Sequence, residues 1–94
     1  MMDNEFISRI ENNINMIVPL YLVAAYAYYI KDDPLISDAV YDLMATTFLE
    51  YYDVIEHRHK HLVDKDALSA GTCLIKDYPL IVDGAYTSLR ESLK

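Results

Sequence analysis

The run Tyr28-Tyr29-Ile30-Lys31-Asp32-Asp33-Pro34-Leu35-Ile36-Ser37-Asp38 leaves the chain little choice of local path. A helix must stop at Asp32-Asp33-Pro34, because proline cannot donate into a preceding helix and pushes the residue before it out of the α region. A new helix then starts at Ser37 or Asp38. Either side-chain oxygen can accept from the free N–H groups of a first helical turn, and the carboxylate also suits the positive end of the helix dipole. The stretch therefore reads as the tight turn of a helical hairpin, with carboxylates and tyrosines gathered around it.

The same grammar returns in Ile75-Lys76-Asp77-Tyr78-Pro79-Leu80-Ile81-Val82-Asp83-Gly84-Ala85-Tyr86. Aligned under Ile30 to Tyr41 at an offset of 45, it matches at eight of twelve positions. This predicts an internal duplication of one helix-turn-helix unit, with copies over about residues 19–62 and 64–94. Two copies are fewer than a solenoid needs, so they are expected to pack on each other within one domain spanning residues 1–94.

Tyr28-Tyr29, Pro34, Ile36-Ser37-Asp38-Ala39, Tyr41-Asp42 and Met44 resemble, in type and spacing, the small helical N-terminal domain of bacterial NAD-dependent DNA ligases. The resemblance covers about residues 20–52. It implies an all-α scaffold that closes over the nicotinamide mononucleotide (NMN) half of NAD. It also implies that Tyr28, Tyr29, Asp38, Tyr41 and Asp42 contact the nicotinamide nucleotide. The family's chemistry depends on a separate nucleotidyltransferase domain with a Lys-x-Asp-Gly nucleophile. Here Asp-Gly occurs once, as Asp83-Gly84, preceded by Ile81 and Val82. The chain is thus expected to act as a non-catalytic binding module, engaging NMN or NAD or docking on a nucleotidyltransferase partner.

Charge supplies the rival reading. Residues 1–56 hold ten acids and two bases, a net −8, whereas residues 57–94 are close to neutral. Such a front half argues against direct binding to nucleic acid, which calls for clustered Lys and Arg. It suits a basic protein partner, or a DNA-mimic or inhibitor protein that reuses the scaffold through Asp32, Asp33, Asp53 and Glu56. A small, duplicated and detached domain would suit a phage or mobile-element accessory protein.

Other features narrow the class. A single cysteine, Cys73, excludes an internal disulfide and fits a reducing, cytoplasmic setting. Asp3 and Glu5 against Arg9 give the wrong charge for a secretory leader. The charge-free run from Asn12 to Ile30 is rejected as a membrane span, because three asparagines and Pro19 interrupt it and tyrosines fill its second half.

Hydrophobic spacing predicts four to five helices, two related hairpins plus an N-terminal helix. The first runs from Asp3 or Asn4 to Met16, with a break preferred at Pro19. The second, about residues 19–31, is apolar nearly all round and should be the most buried element. The third is expected to be the longest, from Ser37 or Asp38 to about His61, with Tyr41, Met44, Phe48, Tyr51, Tyr52, Ile55, His59 and Leu62 on one stripe. The fourth spans about residues 65–76, capped by Asp64, with Gly71 marking close helix contact. The fifth spans about residues 82–93, with Val82, Ala85, Tyr86, Leu89 and Leu93 inward.

Each candidate site has a plainer reading beside it. Tyr28 and Tyr29 can be rim packing with hydroxyls in water. Asp38 and Asp42 can be a cap and a first-turn acid. His57 and His61, four apart on the predicted third helix beside Glu56, have a spacing that can hold a divalent metal, but no third ligand is placed, and no metal site is assigned. The duplication helps to sort these residues. Asp38 and Tyr41 recur as Asp83 and Tyr86, which favours a structural part in the turn. Tyr28, Tyr29 and Asp42 are replaced by Cys73, Leu74 and Thr87, which favours a binding role specific to the first copy.

Overall fold

A computed structural model describes residues 2–63, 65–70 and 78–92. These form an all-α bundle without strands: α1 (Asp3–Asn12), α2 (Ile17–Ala25), α3 (Asp38–Glu50), α4 (Lys65–Ala70) and α5 (Leu80–Ser92). The expected class holds, and the organising element is α2. Every residue of α2 except Pro19 is buried, as its apolar circumference requires. It packs against both α3 and α5, while α4 lies on α3.

The chain breaks before α2 at Asn13 rather than at Pro19, a correction to the expected first helix. Asn13 takes an extended conformation (φ −155°, ψ 104°), and its side chain accepts from the Asn15 N–H at 3.1 Å to open a 3-10 turn over Ile14–Met16. Asparagine offers its backbone this local alternative to a helix. Pro19 lies in the first turn of α2, where its missing N–H costs nothing.

Beyond Ala25 the helix winds wider, as a π-type segment over Tyr26–Ile30, and the Lys31 N–H returns to the Tyr26 carbonyl at 3.2 Å. Asp32 then adopts a left-handed conformation (φ 49°), which Asp tolerates better than most residues. The Asp33 N–H closes the turn on the Ala27 carbonyl at 2.8 Å. Ser37, not Asp38, is the N-cap of α3, with Oγ accepting from the Val40 N–H at 3.3 Å. The start of α1 is tied to the same loop: the Met2 N–H donates to the Leu35 carbonyl, and the Asp3 carboxylate accepts from the Ser37 N–H, both at 2.8 Å.

The third helix ends at Glu50, eleven residues short of the expected His61. A helix over residues 38–61 would extend about 36 Å at ~1.5 Å per residue, which is the longest dimension of the whole molecule. Its second half would have run past the end of α2 with nothing to cover it. The chain turns at Tyr51–Val54 instead and folds back, so that Ile55 and Val63 enter the core. The Tyr52 hydroxyl donates to the Val63 carbonyl at 2.8 Å, and the Glu56 N–H donates to Asn15 Oδ1 at 2.9 Å. Tyr51 consequently lies 45% exposed rather than on a buried stripe. His57 and His61 share no helical face, which removes the geometry behind the metal reading.

The fifth helix begins at Leu80, two residues early, directly after Pro79. The two matching stretches therefore differ locally. In the first, Ser37 delays the helix by capping it; its counterpart Val82 has no side-chain acceptor, and its N–H bonds the Pro79 carbonyl at 2.9 Å. The expected continuation of the fourth helix through Gly71 and Cys73 to Lys76, the Asp64 cap and the inward Leu93 lie outside the described residues.

The core centres on Phe48, fully buried on α3, whose ring meets Tyr21 edge-on at 5.7 Å and stacks on Tyr52 at 5.6 Å. Phe48→Ala is expected to cost about 3–5 kcal/mol by transfer and cavity terms, a large share of the roughly 5–15 kcal/mol available to a domain. Leu43→Ala, at a half-exposed position of the same helix, should cost less than about 1 kcal/mol. Urea denaturation of the two variants checks the contrast.

Candidate functional site

The turn after α2 and the first turns of α3 enclose a pocket of about 240 Å³ lined by Tyr28, Tyr29, Asp38, Tyr41 and Asp42. All five residues singled out in the sequence meet in this one concavity. The π-type winding contributes to this, since a wider turn brings consecutive side chains closer in azimuth than an α-helix would. Tyr28 and Tyr29 accordingly stand together, their rings 5.0 Å apart and near perpendicular. On α3, residues 38, 41 and 42 share a face by the three- and four-residue rule.

The aromatic wall is anchored in the core. Tyr41 lies 5.8 Å from Tyr28 and 5.3 Å from Tyr21, and Tyr21 is almost wholly buried. Tyr28 and Tyr29 are 43% and 41% exposed, so much of each ring stays accessible from the pocket mouth. Asp38 and Asp42 are both exposed. The pocket thus offers aromatic ring surface and two carboxylates, and its described lining holds no basic residue. Such a surface accepts hydrogen bonds from hydroxyl or amide donors, and the ring faces attract a cation.

A second polar cluster lies against the same turn, on α5. Asp83 and Tyr86, expected to be structural parts of their turn, reach across to the turn after α2. The Tyr26 hydroxyl donates to Asp83 at 2.6 Å, and the Tyr86 hydroxyl donates to Asp33 at 2.8 Å. Arg90 grips the Asp33 carboxylate with two nitrogens, Nη2 at 2.8 Å and Nε at 2.7 Å, and Lys31 Nζ stands 3.9 Å from Asp83. Asp33, counted above among acids for a protein partner, is engaged within the fold. The signal was present in the spacing, because residues 83, 86 and 90 fall on one helical face.

Among the described residues, no group of three or more His, Cys, Asp and Glu side chains is arranged to hold a metal ion. His57 faces His59 rather than His61, with Nδ1 accepting from the His59 N–H at 3.1 Å. Burial, and then the neighbouring His59 and Arg58, holds the His57 imidazole below its usual range. No helix among the described residues is long and apolar enough to cross a membrane. Comparison of the chain with protein-family models, with curated proteins and with solved structures found no match in any of the three.

The tyrosine–aspartate pairs carry a pH dependence. Hydrogen bonding to Asp83 raises the Tyr26 phenol above its ordinary 10.0, with burial adding to the effect. Hydrogen bonding to Asp33 does the same for Tyr86, with Arg90 opposing it. A phenol whose pKa is raised by folding stabilises the fold fully below the unfolded value and loses that contribution as pH rises through the folded one. The melting temperature of the wild type should therefore exceed that of the Tyr26→Phe/Tyr86→Phe double variant at neutral pH. The gap should close as pH climbs beyond about 10. Thermal melts across that range, followed by circular dichroism, check the sign.

Proposed function

We propose that this chain is a non-catalytic module that binds the nicotinamide riboside portion of NMN or NAD between the Tyr28–Tyr29 wall and the first turns of α3. The observation that carries the reading is the convergence of Tyr28, Tyr29, Asp38, Tyr41 and Asp42 on one pocket. The resemblance to the N-terminal domain of NAD-dependent DNA ligases assigns those same five residues to nicotinamide nucleotide contact.

The chemistry of the lining supports this ligand. An oxidised nicotinamide ring is cationic, and tyrosine faces with two nearby carboxylates form an environment that attracts it. Ribose hydroxyls and the carboxamide N–H groups are donors, which carboxylates accept. The 5′-phosphate finds no basic group in the described lining, so binding by this chain alone is weak. A nucleotidyltransferase-type partner that supplied cations at the pocket mouth would complete the site.

Protein-observed NMR with ligands titrated to millimolar concentration tests the reading. Oxidised NMN should shift resonances of Tyr28, Tyr29, Asp38, Tyr41 and Asp42. Nicotinamide riboside should bind at least as well as NMN, since the phosphate meets only carboxylates. Reduced NMN, whose ring is neutral, should bind more weakly. Tyr28→Ala or Asp42→Ala should abolish the response while moving the melting temperature by only a few degrees, as expected for exposed positions. A flat titration with a well-dispersed spectrum would overturn the proposal, as would unfolding of Tyr28→Ala, which would make that ring part of the core.

A further inference from the structure

We propose that Arg90 is a positioning residue for the pocket: by gripping Asp33 from the α5 side, it fixes where Tyr28 and Tyr29 stand opposite α3. The inference deepens the nicotinamide reading and rests on it for its ligand readout, although the placement of the tyrosine wall can be measured in the free protein.

The two rings lie on a segment bracketed by contacts to α5. At its start, the Tyr26 hydroxyl donates to Asp83 at 2.6 Å. Past its end, the Asp33 carboxylate accepts from Arg90 Nη2 and Nε and from the Tyr86 hydroxyl, at 2.7–2.8 Å. Tyr28 and Tyr29 fall between these anchors. Tyr26 points toward α5, where its ring meets Tyr78 at 5.2 Å and Tyr86 at 5.8 Å. Tyr28 meets Tyr41 on α3. The segment is therefore held from behind while its pocket face remains accessible.

Three donors on one carboxylate are more than the turn needs to close. The Asp33 N–H already bonds the Ala27 carbonyl, and Asp32 already supplies the left-handed residue. The side chains of Arg90 and Asp33 are 41% and 35% exposed, a setting in which an ion pair adds little to global stability. A planar guanidinium bonded through two nitrogens does, however, fix direction as well as distance. Its effect falls on the orientation of the turn and, through the hydrogen bond from the Asp33 N–H to the Ala27 carbonyl, on the segment that carries the tyrosines of the wall. Arg90 itself is not among the residues lining the pocket.

The test uses the full chain and three variants, Arg90→Ala, Arg90→Lys and Tyr86→Phe. In the free protein, nuclear Overhauser contacts between the Tyr28 and Tyr41 rings report the wall directly. Arg90→Ala should weaken those contacts and move the Tyr28 and Tyr29 ring signals, while the melting temperature stays within a few degrees of wild type. NMN affinity should fall about fivefold, and Arg90→Lys should recover part of the loss, since an ammonium cannot reproduce the two-nitrogen grip. Unchanged ring contacts and ring shifts in Arg90→Ala would overturn the proposal. Should that variant fail to fold, Tyr86→Phe removes one of the three donors and the same ring readout decides. A wild-type protein that ignores NMN would sink the nucleotide reading, and the ring contacts would still decide whether Arg90 places the wall.

Discussion

A helix that is apolar around its whole circumference has to be covered on every side, and α2 imposes that requirement on the rest of this chain. Helix α3 covers one flank and α5 another. The turn after α3 closes the remainder by returning Ile55 and Val63 to the core. The polarity of the chain changes where α2 runs out, within the few residues that carry Tyr28, Tyr29, Asp32 and Asp33. The pocket sits at that change because the end of the most buried helix is where an aromatic side chain can have one side packed and the other accessible.

The two stretches that match at an offset of 45 positions are tied to each other by side-chain contacts. A repeat that merely stacked would use the same residues for the same local task twice. Here Asp33 of the first copy receives Tyr86 and Arg90 of the second, and Asp83 of the second receives Tyr26 of the first. Each copy thus contributes a carboxylate and a tyrosine to the other. The first stretch also differs from the second in sequence, with Tyr28, Tyr29 and Asp42 where the second has Cys73, Leu74 and Thr87. One face of the first copy holds the two units together, and the opposite face forms the pocket.

The sequence was most legible where local chemistry decides the outcome. Proline after two aspartates fixes the stop, Ser37 or Asp38 marks the restart, and residues 38, 41 and 42 must share a face once the helix exists. The grouping of Tyr28, Tyr29, Asp38, Tyr41 and Asp42 was readable for that reason, as these residues flank one turn and need no distant element to bring them together. Periodicity failed where the limit is global. The stripe from Tyr41 to Leu62 has helical spacing, but α3 can extend only as far as it has something to pack against, and that length is set by α2. The break at Asn13 was hidden because a local side-chain bond outweighed a continuous pattern. The π-type winding of Tyr26–Ile30, which contributes to bringing two adjacent tyrosines to one pocket, left no mark in composition.

The composition of the pocket also constrains how such a module can act. Two carboxylates and three phenol rings select for positive charge and for donors, and they leave any anionic part of a ligand to be met elsewhere. A dinucleotide would therefore be held by its nicotinamide end, with its phosphates projecting from the mouth toward whatever surface supplies cations. The acidic front half of the chain then has a second consequence. Its field repels phosphate and would attract a basic partner, so on the proposed reading the charge that weakens phosphate binding would also favour encounter with the surface that completes the site. On the proposed reading, nucleotide binding and partner docking would draw on one electrostatic arrangement, with Tyr28 and Tyr29 at its centre.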